Sequence, residues 1–122
     1  MNNERIYASK AFQQPADGEP IRAVITESAD SAVIAWHVKP GQRISPHVHP
    51  DGQDTWIVLA GGGQYQVSAS GESRRIESGD VVVALRSEVH GVFNDGEVAL
   101  EFVSVVSPLA AGFAPLNVAS PN

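Results

Sequence analysis

The 122-residue sequence has no cysteine, one methionine, and only eight lysines and arginines against fourteen aspartates and glutamates. Without cysteine there can be no disulfide, no thiolate metal ligand and no cysteine nucleophile. The few basic residues, among them Lys10, Arg22, Lys39, Arg43, Arg74, Arg75 and Arg86, are scattered along a chain of net charge -6. Nucleic-acid binding needs positive charge gathered on one surface, so nucleic acid is excluded as a partner. No run approaches the ~20 apolar residues of a membrane helix, which excludes the membrane. The first twenty residues lack the apolar stretch of a secretory signal, so the expected location is the cytoplasm. Between Ile21 and Val106 no segment keeps a helical period over eleven or more residues.

The chain does contain short runs of β-forming residues separated by turn residues. Hydrophobic residues make up 43% and charged residues 18%, the profile of one soluble globular domain. Strands are expected at 21–26, 32–38, 43–48, 55–59, 64–70, 73–76, 81–85, 89–93 and 98–106. Pro40-Gly41, the loop 50–54, Gly61-Gly62-Gly63, Gly71-Glu72, 78–80 and 94–97 read as turns, and Asp95-Gly96 reads as a hairpin. About nine strands at this spacing predict a single all-β domain, a sandwich or barrel. Residues 1–20 form a polar lead-in arm, 21–106 the barrel, and 107–122 an uncharged, fairly apolar tail expected to pack on the barrel or on a partner chain.

The chemistry concentrates between Gly41 and Gly61. His47 and His49 are two residues apart, so on an extended strand both imidazoles face the same side and can meet at one point. Asp54, five residues beyond His49, can return from the turn to bring a carboxylate beside them. Such a set of nitrogen and oxygen donors suits iron, manganese, nickel, copper or zinc. Strand parity places Trp56 and Val58 on the Asp54 side, where Trp56 serves as packed core, as a wall for substrate, or as both. Parity also places Glu88, Val92 and Asn94 on the His90 side, with Glu88 reading as a solvated carboxylate at the strand mouth. His37 lies opposite the apolar set Ile34, Trp36 and Val38 and is expected at the surface or an interface. The three glycines are not a phosphate loop, because neither Lys-Ser/Thr nor a helix follows them. No serine sits in a nucleophile elbow.

These residues resemble the cupin family. The first cupin motif, G(X)5HXH(X)3,4E(X)6G, is met by Gly41, His47, His49, Asp54 and Gly61, with aspartate in place of glutamate. The second, G(X)5PXG(X)2H(X)3N, is met by Gly79, His90 and Asn94, with Leu85 for the proline and Ser87 for the inner glycine. The resemblance covers roughly residues 30 to 106. It implies a double-stranded β-helix, the jelly-roll barrel, with His47, His49 and His90 binding a divalent metal and Asp54 at the acidic position. Gln53 is the other candidate for that corner. With Trp56, Val58, Val92 and Asn94 it forms the expected pocket lining. Arg43 and Arg86, near the motif residues, are candidate contacts for an anionic substrate. The implied function is a metal-dependent enzyme on a small organic molecule, of dioxygenase or isomerase type. The alternative is a non-catalytic module holding a metabolite or sugar. Apolar outer strand faces and the tail suggest a homodimer.

Overall fold

A computed structural model describes residues 4–116; the remaining ends of the expected arm (1–3) and tail (117–122) lie outside them. Among the described residues ten strands run in chain order: β1 (Ala23–Glu27), β2 (Ala32–Val38), β3 (Arg43–Val48), β4 (Gln53–Ala60), β5 (Gly62–Gln66), β6 (Ser73–Glu77), β7 (Val81–Ala84), β8 (His90–Phe93), β9 (Leu100–Ser107) and β10 (Ala114–Pro115). They form two five-stranded antiparallel sheets, ordered β1-β2-β9-β4-β7 and β10-β3-β8-β5-β6. Apart from the β1–β2 and β5–β6 hairpins, each of the first nine strands hands the chain to the other sheet. This is the connectivity of a double-stranded β-helix.

The crossovers correct two local expectations. The Asp95-Gly96 turn is not a hairpin, because β8 and β9 belong to different sheets. Its geometry is set by Asn94, whose amide donates to the carbonyls of Val38 and Val98, at 2.9 Å each, while its Oδ1 accepts the Gly96 N–H. Of the three glycines only Gly61 breaks the chain, at φ +73°, where a Cβ would run into the Ala99 carbonyl. Gly62 and Gly63 already lie in β5.

Alternation of apolar residues turns one side of each sheet inward. Val38, Trp56, Val58, Tyr65, Ile76, Val92, Leu100 and Phe102 form the core. Phe102 stacks on Trp56 at 4.1 Å between ring centroids and on Trp36 at 6.0 Å, an aromatic column running from the core toward one end of the barrel. The described part of the arm carries a 3-10 turn, Ser9–Phe12, and Lys10 and Gln13 reach Glu101 on β9. His37 sits half-buried on this outer face, close enough to Glu101 to influence its charge. The tail returns to pair β10 with β3, Ala114 opposite Val48 and Pro115 opposite His47.

Ser87, at the inner-glycine position of the second motif, holds φ +64° and is the only non-glycine with positive φ among the described residues. Its N–H donates to the His49 carbonyl at 3.0 Å, so this turn is tied to the strand end that carries a candidate ligand. The left-handed conformation costs an L-residue about 1–2 kcal/mol, and glycine's larger entropy loss on folding returns about 0.5–1 of that. Ser87→Gly should therefore stabilise the protein by about 0.5–1 kcal/mol, read as a higher urea midpoint at unchanged slope. An equal or lower midpoint would show the serine to be unstrained.

Candidate metal centre

His47 is the inward-facing residue of β3 directly opposite His90 on β8. A register irregularity between Ile44 and His47 sets this pairing, at the point where Pro46 interrupts the strand. His49 follows just past the end of β3, and Asp54 enters from β4 in the other sheet. All four side chains are buried, and one ligand atom from each lies within 4.8 Å of the others. Asp54 Oδ2 is 3.0 Å from His90 Nε2 and 3.3 Å from His49 Nε2. Aspartate is one methylene shorter than the glutamate of the family motif, yet its carboxylate reaches the cluster.

The orientation of the imidazoles comes from the backbone. His47 Nδ1 lies 2.8 Å from the Ser45 carbonyl, His49 Nδ1 2.7 Å from that of Gly112, and His90 Nδ1 3.1 Å from that of Glu88. A carbonyl only accepts, so each Nδ1 must carry the proton, and in the neutral ring each Nε2 presents a lone pair inward. This is how proteins set histidines as metal ligands. With all three rings neutral, three lone pairs and a carboxylate would face one another and repel, so the cluster calls for positive charge at its centre, either a metal or protons shared with Asp54 as in the 3.0 Å hydrogen bond between His90 Nε2 and Asp54 Oδ2. His49 Nε2 and Asp54 Oδ1 are also buried without a hydrogen-bond partner. The donor set therefore fits a divalent metal of the nitrogen- and oxygen-preferring kind.

Electrostatics divide the cluster. Burial and the neighbouring His90 hold His47 down at about 4, against the pull of the Ser45 carbonyl, so it stays neutral. Burial also opposes charge on His49, but contact with Asp54 and the Gly112 carbonyl outweigh it and raise its pKa. Asp54 is desolvated too, yet His49 and His90 hold it at about 2. The Trp56 indole N–H adds a smaller lowering without reaching hydrogen-bond geometry. Metal-free, the site thus pairs a protonated His49 with the Asp54 carboxylate. At pH 6, below the raised pKa, a metal must displace the His49 proton, while Asp54 is already ionised and His47 already neutral. Binding should release the His49 proton, and affinity should fall as pH falls. Calorimetry at pH 6 in buffers of different ionisation enthalpy measures this; buffer-independent heats would contradict it.

Above the cluster opens a cavity of about 290 Å3. Its wall is made by Ile34, Trp36, Ile44, Val106 and Phe113 with Ser45 and Ser104, and Glu19, Pro20, Arg22 and Arg43 stand at its outer part. The expected lining is corrected here. Trp56, Val58 and Val92 belong to the core beneath, with Trp56 6.1 Å from His90. Asn94 is fully buried in its turn, and the Gln53 amide bonds to Thr55. Glu88 caps its own turn, its carboxylate accepting the Leu85 N–H at 2.8 Å. Arg43 lines the cavity and also lies over Phe93 at 4.8 Å, whereas Arg86 does not line it.

Sequence reasoning missed Arg22, Gly112 and Phe113. Phe113 is 65% exposed, yet its ring lies 5.1 Å from that of His47 and 6.3 Å from that of His49. The uncharged tail was the available signal, but nothing in it indicated which strand it would join.

Comparison with known proteins agrees with this architecture. Residues 34–106 match the Cupin domain family. The pectin degradation protein KdgF of Dickeya dadantii is 33% identical over 92 residues, 75% of this chain and 81% of that protein. The tetracenomycin polyketide synthase protein TcmJ of Streptomyces glaucescens is 29% identical over 110 residues, 87% of this chain and 72% of that protein. Among solved structures, a conserved protein with a double-stranded β-helix domain from Klebsiella pneumoniae superposes with a TM-score of 0.89 at 44% identity, covering 93% of this chain and 97% of that one. With the two motifs, the double-stranded β-helix and a match spanning both, the chain belongs to the cupin family.

Proposed function

We propose that the protein is a metal-dependent enzyme acting on a small organic molecule, of dioxygenase or isomerase type. The supporting observation is that three backbone-oriented Nε2 atoms and a carboxylate meet at the floor of an open cavity. His47, His49, His90 and Asp54 would hold the ion, which when bound supplies Lewis acidity or oxygen activation. Trp36, Ile34, Ile44 and Val106 exclude water from the substrate side, and Phe113 closes over the imidazoles. A volume of about 290 Å3, at the low end for ligand sites, limits the substrate to a monomer-sized molecule. Relatives tied by name to pectin degradation and to a polyketide synthase are consistent with small-molecule chemistry.

The test begins with the metal content of protein purified without chelator, compared with His49→Ala. Metal-loaded protein is then assayed for oxygen uptake, and for isomerised product by NMR, over a panel of small acids, diketones and catechols. Stoichiometric metal lost in the variant, with turnover of one panel member, supports the reading; absence of metal from both proteins removes it. We also propose a homodimer, supported by the bare apolar outer face around Leu59, Val81 and Val83, all 45% exposed or more. A monomer in light scattering at micromolar concentration would overturn that.

A further inference from the structure

Arg22 stands just before β1 at the mouth of the cavity, exposed, and lines both the main cavity and the adjoining one beside His49 and Phe113. Among the described residues its side chain makes no hydrogen bond and no ion pair, although the chain carries fourteen acidic residues against eight basic ones. Glu19 shares the cavity wall but is not paired with it. Arg22 and His49 line the same two cavities, so the guanidinium and the candidate metal centre face one shared space. Arg43 adds a second guanidinium to the same wall, already engaged by the Phe93 ring. Between these charges and the ligands the wall is mainly apolar: Ile34, Trp36, Ile44, Val106 and Phe113.

A free guanidinium on a low-dielectric wall favours a planar anion that can take two parallel N–H donors. We propose that Arg22 anchors the carboxylate of the molecule the cavity takes, which makes that molecule a small organic acid with a largely apolar body. Its carboxylate sits at the mouth with Arg22, supported by Arg43, and its body lies along Trp36 and Phe113 toward the imidazoles. Arg22 lies outside residues 34–106, so this specificity comes from the segment that leads into the barrel. The inference rests on the cavity serving as the substrate site, and its test separates the two.

Benzoate and benzamide differ in charge and little in shape, so their binding to zinc-loaded protein, followed by calorimetry, isolates the carboxylate. Wild type should bind benzoate about tenfold more tightly than benzamide. Arg22→Gln should abolish most of that preference, and Arg22→Lys should restore part of it, with zinc stoichiometry and thermal midpoint unchanged in both. A preference that survives Arg22→Gln would come from the metal and would overturn the proposal, as would equal binding of the two probes by wild type. The same titration without zinc distinguishes the readings: an Arg22-dependent preference in protein that takes no zinc would sustain this proposal while removing the metal-enzyme reading.

Discussion

Replacing His90 by alanine is expected to lower metal affinity by more than about 100-fold and to destabilise the metal-free protein by roughly 3 kcal/mol. Losing an outer partner of a metal ligand already costs about 10–100-fold, so losing a ligand should cost more. His90 is 1% exposed, packs 4.2 Å from the ring of His47, and is 3.0 Å from Asp54 Oδ2. Its removal leaves a void and takes from a buried carboxylate one of its two imidazole partners. Asp54→Asn in the His90→Ala background should then recover part of the stability without recovering metal. Competition titration with a chromophoric chelator and thermal melts with and without metal read both effects. Near-stoichiometric metal in His90→Ala would remove His90 from the ligand set.

Ending the chain at Leu109 is expected to lower metal affinity by about 10–100-fold, although none of the four candidate ligands is touched. The truncation removes the Gly112 carbonyl, 2.7 Å from His49 Nδ1, so that ring loses what fixes its tautomer and its direction. It also removes β10 from the edge of β3 and uncovers Gly52, against which Ala111 packs. Part of the loss could therefore be general destabilisation, which the point variant Phe113→Ala separates. That variant keeps the backbone carbonyl and should leave metal affinity within about twofold, while weakening benzoate binding through loss of a cavity wall. If the truncated protein folds and binds metal like the full chain, the tail has no part in the centre.

Much of the candidate metal centre's geometry was legible because it follows from short-range spacing. The two-residue spacing of His47 and His49, and the parity of Asp54, Trp56 and Val58, survive any detail of the sheet arrangement. The bounds expected for β2 and β3 also match the structure, since Pro40-Gly41 and the β-rich runs mark them locally. What failed depended on long-range placement. Parity says that Trp56, Val58 and Val92 point inward, but not whether they lie in the packed half of the barrel or its open half. The Asp95-Gly96 turn carries hairpin chemistry, yet the sheets assign its flanking strands to different partners. Arg22 and Phe113 reach the cavity from outside the motif, one from each flank, and no spacing rule connects them to His49.

The three carbonyls that orient the imidazoles belong to Ser45, Glu88 and Gly112, and a carbonyl is the same group whatever side chain its residue carries. Ligand geometry is thus written into the chain path, whereas the cavity wall of Ile34, Trp36, Ile44, Val106 and Phe113 is written into side chains. The two can change independently. Substitutions that reshape the wall need not disturb the cluster beneath it, so a barrel of this design can change what its cavity admits in a few steps while keeping the same donor set in the same place.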